Sequence, residues 1–306
     1  IGFAELTLPN GQRASIIDVP GHEKFIRNML VGAAGMDVVL LVVAADEGFM
    51  PQTREHLGIL SLLGVQNGII VLTKADMVDE EWLEAVEEEA RETVQGTFLE
   101  NAPILAVSSY TGQGIEELKQ LIVKLVEGAD QRNQDRPFRL PVDRVFSVDG
   151  FGTVVTGTLI EGSMQLGEEV SIYPAEKKAR IRGLQTHDKA EERASAGMRV
   201  AVNLSGIDKA DIKRGDTLAR PGSMVLSHQM DVQLSVLKDS PYAIKNDTRL
   251  HFHHDTHEMV CKCVILGKDT LEAGETGYAQ LRFQEDVGVK NGDHYVVRFF
   301  SPLVTV

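Results

Sequence analysis

Short apolar runs alternate with longer amphipathic segments through the first 126 residues of this 306-residue chain. Four runs have the length of buried strands: 14–18, 38–45, 68–72 and 104–107. Four segments follow those runs and carry apolar residues at helical spacing: 25–33, 52–63, 80–98 and 115–126. Buried strands that alternate with helices predict a parallel sheet covered on both faces, with functional loops at the carboxyl ends of the strands.

The second half of the chain has a different pattern. Helical spacing stops at residues 130–141, a polar stretch with two prolines that is typical of a linker. Short β-branched runs then alternate with Gly-containing turns: 153–159, 170–173, 199–204 and 260–266. A second break at 220–223 leaves two pieces of about eighty residues, each suited to a small barrel. The sequence predicts an α/β domain at 1–130 and two β-barrels, at 137–222 and 224–306.

Composition narrows the functional classes. The formal net charge of -14 argues against nonspecific attraction of the whole surface to nucleic acid. The longest apolar run, 38–45, is much shorter than a membrane span, so no membrane association is expected. The two cysteines, Cys261 and Cys263, share one face of a predicted strand. We expect a reduced pair in a cytoplasmic protein, because no second cysteine pair completes a zinc spacing.

An Asp-x-x-Gly-His turn follows the first apolar run. Asp18 ends that run, so its carboxylate is expected at the sheet edge, where it can hold a hydrated magnesium ion. Gly21 has no side chain, which lets its backbone N–H approach a terminal phosphate. His22 can orient a water against the terminal phosphorus, or it can be only a histidine at a helix end. Taken alone, Asp-x-x-Gly also occurs in many ordinary turns.

Two further polar motifs follow the third and fourth apolar runs. In Thr73-Lys74-Ala75-Asp76, the Asp76 carboxylate can accept the ring N–H and the exocyclic amine of guanine, a pair that adenine does not offer. Lys74 can lay its methylene stem over the base. The Ser109 backbone N–H can meet the guanine carbonyl oxygen while Ser108 braces the loop. Each motif can be an ordinary cap or turn, but three in order after buried strands predict a guanine-nucleotide site.

The longer runs around these motifs resemble the elongation factor Tu class of translational GTPases. Three runs in the first half carry the likeness: Asp18-Val19-Pro20-Gly21-His22-Glu23-Lys24-Phe25, Pro51-Gln52-Thr53-Arg54-Glu55-His56 and Lys74-Ala75-Asp76. Residues 149–157 resemble the first strands of that class's second domain. Within the class, the chain is most similar to the selenocysteine-specific elongation factors, through four features: Glu23-Lys24-Phe25, Thr73 in place of the usual Asn, residues 111–115 and residues 299–302.

The resemblance implies a P-loop-type GTPase sheet followed by two small β-barrels, with GTP or GDP and Mg2+ as ligands. Asp18 and Gly21 match the sensor of the metal and terminal phosphate, with the metal held through water, and His22 matches the catalytic histidine. The nucleotide-binding positions that match are Thr73, Lys74, Asp76, Ser108 and Ser109. The resemblance also implies a charged pocket on the second domain that selects the aminoacyl group, and its best matches are Asp143, Arg144 and Arg199. These three can equally form a surface salt bridge.

The phosphate-cradling loop of such a site, Gly-x-x-x-x-Gly-Lys-Ser/Thr, does not occur in these 306 residues. The chain begins at Ile1 and not at Met, so we expect part of a longer protein whose preceding segment supplies the loop. The sheet is then truncated at its amino-terminal side, and GTP hydrolysis by this part alone is expected to be impaired. In the family that the chain resembles, an mRNA hairpin is recognised by further carboxyl-terminal domains, and these residues are not expected to do so.

The resemblance implies a factor that binds GTP, delivers selenocysteinyl-tRNA to the ribosome and releases it on hydrolysis. Two alternatives stay open: another GTPase of the class that carries ordinary or initiator tRNA, or a nonenzymatic RNA- or protein-binding module with a vestigial nucleotide site. One compact basic run can contact a tRNA backbone or only keep a strand soluble: Lys177, Lys178, Arg180 and Arg182. The histidines at 251, 253, 254 and 257 are not expected to bind metal, because no carboxylate or cysteine pattern of matching spacing accompanies them.

Overall fold

The structure is a computed structural model that describes residues 2–8, 11, 13–22, 25–33, 35–128, 134–186, 189–300 and 304–306. Four residues of the resemblance, Glu23, Lys24, Ser301 and Pro302, lie outside the described residues, as do 129–133 of the expected linker. The chain divides into two compact units, residues 1–131 and 132–306. No helix in the described part of the chain is both long enough and apolar enough to cross a membrane.

The described part of the first unit contains an antiparallel hairpin, a three-stranded parallel sheet and four α-helices. The hairpin consists of β1 (Gly2–Thr7) and β2 (Arg13–Asp18). The parallel sheet has the order β3 (Val39–Ala44), β4 (Gly68–Thr73) and β5 (Ile104–Ala106). The helices are α1 (Ile26–Ala33), α2 (Pro51–Leu62), α3 (Glu80–Val94) and α4 (Ile115–Gly128).

The central strand β4 shows why this sheet is covered on both faces. Ile70 and Leu72 point to one face and pack with Val86 and Val94 of α3. The alternate residues of β4 point to the other face, where Val71 packs in the cluster that includes apolar residues of α4. Because neighbouring strand residues point to opposite faces, both sets of side chains become buried. The parallel sheet and its two helical layers are therefore confirmed.

One strand does not join the parallel sheet as its place in the alternation predicted. Among the described residues, β2 pairs only with β1, in an antiparallel register that runs from Gly2 opposite Asp18 to Thr7 opposite Arg13. The short connection of residues 8–12 favours an antiparallel hairpin of β2 with β1. The apolar pattern of residues 14–18 indicates a strand but does not specify which neighbour pairs with it.

The second unit is built from antiparallel strands. Its first sheet has the order β6-β15-β10-β11-β14-β8-β7, with β12 paired to β11, while β9 and β13 form a separate pair. The bounds are β6 (Arg139–Pro141), β7 (Arg144–Val148), β8 (Gly152–Thr158), β9 (Ser163–Gln165), β10 (Glu169–Tyr173), β11 (Lys177–Thr186), β12 (Lys189–Glu191), β13 (Arg193–Ser195), β14 (Arg199–Ser205) and β15 (Thr217–Ala219).

A second sheet of this unit has the order β16-β21-β19-β18-β22, with β17 and β20 as a separate pair. The bounds are β16 (Val225–Ser235), β17 (Ile244–Lys245), β18 (Thr248–His254), β19 (His257–Ile265), β20 (Thr270–Leu271), β21 (Thr276–Val289) and β22 (Val296–Arg298). Each of the two large sheets has its own apolar core, one around Phe138 and Leu140 and the other around Leu250 and Phe252. The limits 137–222 and 224–306 for two barrels remain a proposal.

Candidate functional site

The two base-recognition motifs meet at one edge of the parallel sheet. Thr73 is the last residue of β4, and Ser108 follows β5 by two residues. The Ala75 N–H donates to the Val107 carbonyl over 3.2 Å, and the Val107 N–H donates to the Leu72 carbonyl over 2.8 Å. Because β4 and β5 are parallel neighbours, residues that follow each strand come to the same edge. The structure thus brings residues 73–76 and 108–109 together.

Lys74 adopts an unusual backbone conformation and has two acidic partners. Its φ is 57°, in the left-handed region that few non-glycine residues occupy. Its Nζ donates to Asp46 Oδ1 and Oδ2 over 2.9 and 2.8 Å, and to Glu47 Oε1 over 3.3 Å. The hydrogen bond to Asp46 is the main cause that raises the pKa of Lys74. Beside it, the Thr73 hydroxyl donates to the Val43 carbonyl over 3.3 Å, which ties β4 to β3.

Asp76 has the environment that base recognition needs. It lies in a single 3-10 turn, residues 75–77, closed by a 2.9 Å hydrogen bond from the Met77 N–H to the Lys74 carbonyl. Its side chain is exposed and makes no hydrogen bond or ion pair with the residues that the structure describes. The carboxylate can therefore accept two hydrogen bonds from a ligand without first breaking a contact within the protein.

The loop after β5 holds Ser109 at the surface, and Ser108 stabilises it. Ser108 is fully buried, and its hydroxyl oxygen accepts the Thr111 N–H over 3.1 Å. Its carbonyl accepts the Gly112 N–H over 2.9 Å, and its N–H donates to the Gln113 carbonyl over 3.0 Å. Ser109 next to it is exposed. This pattern is the one expected if Ser108 braces the loop while Ser109 faces a ligand.

The Asp18–Gly21–His22 turn follows β2, which pairs with β1 and not with the parallel sheet. All three residues are exposed. A Cβ at Gly21 would meet no described atom within 4 Å, so packing does not explain the glycine. The His22 carbonyl accepts the Phe25 N–H over 2.8 Å, just before α1 begins at Ile26.

No group of three or more His, Cys, Asp or Glu side chains among the described residues has the arrangement of a metal site. The one acidic side chain of this turn, Asp18, fits the way in which Mg2+ is usually held, through one or two carboxylates, several waters and substrate phosphates. The donor set is therefore compatible with a nucleotide-bound Mg2+ and not with an all-protein cage.

On the second unit, Asp143 and Arg199 form a bidentate ion pair. Both Arg199 terminal nitrogens donate to the Asp143 carboxylate, and both side chains are largely buried. Thr156 completes the cluster, because its hydroxyl donates to Asp143 Oδ1 over 2.6 Å and lies 3.4 Å from Arg199 Nη2. Arg144 is exposed, and its Cα pairs with that of Thr156 across β7 and β8. The sequence pattern did not indicate Thr156.

Both lysines of the basic run and three of the four histidines have polar partners within the protein. Lys177 contacts Asp211, and Lys178 Nζ lies 3.5 Å from Glu169 Oε1. Among the histidines, His254 Nε2 lies 3.0 Å from Asp293 Oδ2. Two more have polar partners: His257 Nδ1 lies 3.1 Å from the Gly215 carbonyl oxygen, and His251 Nδ1 lies 3.4 Å from Glu258 Oε1. The charged ends of these two lysines and the rings of these three histidines therefore have polar partners within the protein.

Comparison with known families agrees with this geometry. The family model for the elongation factor Tu GTP-binding domain matches residues 4–128, and the model for elongation factor Tu domain 2 matches residues 152–219. Together the two matched segments cover more than half of the chain. The chain belongs to the elongation factor Tu class of GTP-binding translation factors.

Within that class, the chain is a homologue of the selenocysteine-specific elongation factors along its whole length. It is 51% identical to the selenocysteine-specific elongation factor of Desulfomicrobium baculatum over 306 residues, which are 100% of this chain and 48% of that protein. The chain thus spans about half the length of the curated relatives that it matches.

Two solved structures have the same fold over almost the whole chain. A crystal structure of a bacterial selenocysteine-specific elongation factor, EF-Sec, matches with a TM-score of 0.90 and 36% identity, over 99% of this chain and 50% of that one. Elongation factor SelB from Methanococcus maripaludis, in complex with the GTP analogue GppNHp, matches with a TM-score of 0.84 and 28% identity, over 100% of this chain and 71% of that one.

Proposed function

We propose that this chain is part of a translation factor that binds GTP and delivers selenocysteinyl-tRNA to the ribosome in the cytoplasm, and that GTP hydrolysis to GDP and phosphate releases the tRNA. The observation that carries the proposal is the pairing of the two base-recognition motifs at the edge of β4 and β5, with the Asp76 carboxylate exposed and unpaired among the described residues. Homology of all 306 residues to selenocysteine-specific factors favours this cargo over ordinary aminoacyl-tRNA.

Guanine recognition is assigned to the edge formed by residues 73–76 and 108–109. The Asp76 carboxylate accepts the ring N–H and exocyclic amine of the base, and the Ser109 N–H donates to its carbonyl oxygen. Lys74 covers one face of the base with its methylene stem. Ser108 keeps the loop in place through the hydrogen bonds that it makes to Thr111 and Gly112.

Phosphate chemistry is assigned to the turn after β2. Asp18 would hold a Mg2+ ion through water, and the ion would supply charge neutralisation on the phosphates. Gly21 leaves room for its N–H to approach the terminal phosphate, which agrees with the open space around its α-carbon. His22 is exposed beside that position and orients the attacking water. The SelB relative in complex with GppNHp supports nucleotide binding by this fold.

An Asp76→Asn variant tests the base assignment. The asparagine amide offers a donor where the carboxylate offered an acceptor, so it opposes the guanine amine but suits the second carbonyl of xanthine. In the complete product of the gene, we expect the affinity for GDP to fall by about a hundredfold, because the variant loses charge-assisted hydrogen bonds that contribute about 3 kcal/mol. We expect the affinity for xanthosine diphosphate to rise. Titration with fluorescent nucleotide analogues measures both.

Absence of guanine-nucleotide binding by the wild-type gene product would reject the proposal and favour a nonenzymatic binding module. Equal affinity of wild type and Asp76→Asn for GDP would reject the base assignment alone.

The cationic side chain Arg144, together with the Asp143–Arg199 pair, is assigned to cargo selection. A selenol is ionised at neutral pH while the serine hydroxyl is neutral, so a cation near the aminoacyl group favours selenocysteine. Arg199 is paired with Asp143, and Arg144 is exposed on β7, opposite Thr156 of the same cluster. An Arg144→Ala variant is expected to weaken selenocysteinyl-tRNA binding about tenfold or more and to leave GTP binding unchanged.

Arg199→Ala is expected to weaken selenocysteinyl-tRNA binding more than GTP binding as well, but it also leaves a largely buried Asp143 carboxylate without its ion-pair partner. Its stability must therefore be measured beside its affinity. Arg249→Ala, at an exposed arginine of β18 without a partner among the described residues, is the matched control. If the wild-type protein shows no preference for selenocysteinyl-tRNA over ordinary aminoacyl-tRNA, the cargo assignment is rejected.

A further inference from the structure

The turn that follows β3 lies beside the base-recognition edge and is held by several hydrogen bonds. The Ala44 carbonyl at the start of the turn accepts two hydrogen bonds, from the Glu47 N–H over 3.0 Å and from the Gly48 N–H over 2.9 Å. The Ala45 N–H donates to the Thr73 carbonyl over 2.8 Å, which fixes the turn against the end of β4. These contacts set the position of the Asp46 carboxylate relative to Lys74.

The start of helix α3 holds the same turn from the other side. The indole Nε1–H of Trp82 donates to the Ala45 carbonyl over 2.9 Å. Trp82 is in turn fixed at the helix start, because the Asp79 side chain caps α3 by accepting the Trp82 N–H over 2.9 Å. Asp46 is therefore carried by a turn that is bonded on both sides, and it is itself partly buried, with 27% of its side chain exposed.

Asp46 meets Lys74 with both carboxylate oxygens. The distances from Lys74 Nζ are 2.9 Å to Oδ1 and 2.8 Å to Oδ2, both in the range of charge-assisted hydrogen bonds. Glu47 is a lesser partner, at 3.3 Å and with 59% of its side chain exposed. A lysine stem has many rotamers when its ammonium group is free in water. The two short bonds to Asp46 remove most of that freedom and fix where the methylene groups of Lys74 lie.

We propose that Asp46 is a positioning residue for guanine recognition: it anchors the ammonium group of Lys74 so that the methylene stem is held in place to cover the base. This inference rests on the proposed function, because it needs a base at the edge formed by residues 73–76 and 108–109. Asp46 does not touch the nucleotide in this arrangement. It acts through Lys74, and preorganisation of that stem lowers the entropic cost of binding.

A double-mutant cycle tests the inference in the complete gene product. Asp46→Asn keeps the shape of the side chain and removes its charge, and Lys74→Met keeps the stem and removes the ammonium group. We expect Asp46→Asn alone to weaken GDP binding about five- to tenfold. In the Lys74→Met background, the same substitution is expected to change GDP affinity by less than twofold, because the group through which Asp46 acts is gone.

Two further variants separate positioning from a general effect of charge or stability. Glu84→Gln removes one negative charge from an exposed site on α3 without a partner among the described residues, and it is expected to leave GDP affinity unchanged. Asp46→Glu keeps the charge but moves the anchor by one methylene, so we expect a two- to fivefold loss. The emission of Trp82, the single tryptophan of these 306 residues, reports urea unfolding of each variant of this segment.

The outcomes are distinct. If the wild-type protein does not bind GDP, the proposed function fails. If the wild type binds GDP but Asp46→Asn binds equally well, the positioning role is overturned. An equal loss from Asp46→Asn with and without the Lys74 ammonium group also overturns it, since Asp46 would then act independently of Lys74. If Asp46→Asn does not fold, Asp46→Glu decides, and an affinity equal to that of the wild type rejects the inference.

Discussion

Two glycines in the loop after β5 are equally unusual in backbone conformation but differ in their surroundings. Gly112 and Gly114 have φ values of 83° and 70°. A Cβ at Gly112 would meet nothing within 4 Å, whereas one at Gly114 would lie 2.4 Å from the Ala106 carbonyl oxygen of β5. Both positions favour glycine for its left-handed conformation, but only Gly114 also needs the absence of a side chain.

We therefore expect Gly112→Ala to cost about 1–2 kcal/mol, the strain of a left-handed alanine, and Gly114→Ala to cost about 3 kcal/mol or more, because the strand carbonyl cannot move freely. The measurement is the free energy of unfolding in urea, followed by the emission of Trp82 in the same unit. Equal costs for the two substitutions would show that the Ala106 carbonyl can move away and that the close approach is unimportant.

At the scale of single residues, part of the candidate site could be predicted from the sequence. Asp76 and Ser108 come three and two residues after β4 and β5, and the carboxyl ends of parallel strands meet at one edge of a sheet, so the pattern predicted that both residues lie at that edge. The Asp46–Lys74 bond joins residues 28 positions apart, and the Arg199–Asp143 bond joins residues 56 positions apart. Such bonds depend on which strands become neighbours and on the side-chain rotamers, which the sequence pattern does not specify.

At the scale of elements, the strand β19 places two thiols in the core of its sheet. Cys261 and Cys263 have 1% and 0% of their surface exposed. Their strand is paired on both sides, with β18 and with β21, so neither thiol lies at a sheet edge. Burial raises the pKa of Cys261 to about 12 and that of Cys263 to about 11. Since the thiolate is the reactive form, the folded protein holds both cysteines unreactive.

Alkylation by iodoacetamide at pH 8 is therefore expected to be slow in the native protein and complete within minutes in concentrated urea. If the sheet opens only by unfolding, with a free energy of about 5 kcal/mol or more, native labelling is slowed by about three orders of magnitude or more. Mass spectrometry of the labelled chain counts the modified thiols. Rapid labelling under native conditions would show that β19 separates from its neighbours far more easily than its pairing indicates.

The positions of helices and strands could be predicted from local sequence, whereas the pairing of a strand with a neighbour could not. Helices α2, α3 and α4 and strands β3, β4 and β5 formed close to the segments that apolar spacing indicated. The predicted helix 80–98 ends early, at Val94, because Gly96 has a φ of 73° that the helix cannot continue. The placement of β2 was wrong, because the pattern of residues 14–18 indicates a strand but does not show which neighbour it pairs with.

At the scale of the whole second unit, a buried ionic network joins segments of its two large sheets. Arg139 of β6 donates to both Asp293 oxygens over 2.6 and 2.8 Å, and its side chain is only 6% exposed. Glu161 accepts the Lys290 Nζ over 2.7 Å. These contacts span 154 and 129 residues of sequence, and nothing in the local pattern predicts them. They link β6 and the loop after β8 to the loop before β22.

His254 makes this network sensitive to pH. Burial lowers its pKa, but the carboxylates of Asp255 and Asp293 more than offset that effect, and the pKa of His254 is raised above its ordinary value of 6.5. The charged imidazole therefore contributes stability that is fully present below pH 6.5 and is lost as the pH rises through the folded-state pKa. The pKa of His257 is lowered, chiefly by burial, so the pH dependence that it contributes has the opposite sign.

Comparison of His254→Gln with His257→Gln separates the two effects. We expect the stability advantage of the wild type over His254→Gln to be largest below pH 6.5 and to shrink as the pH rises through the raised pKa of His254. The advantage over His257→Gln is expected to shrink as the pH falls below 6.5, because the folded state resists protonation there. Urea unfolding of the second unit, followed by circular dichroism between pH 5 and 9, measures both differences. If the advantage of the wild type over His254→Gln stays constant across this range, Asp255 and Asp293 do not hold His254 in its charged form. The network that joins the two sheets would then be stabilised by the Arg139–Asp293 pair without help from the imidazole.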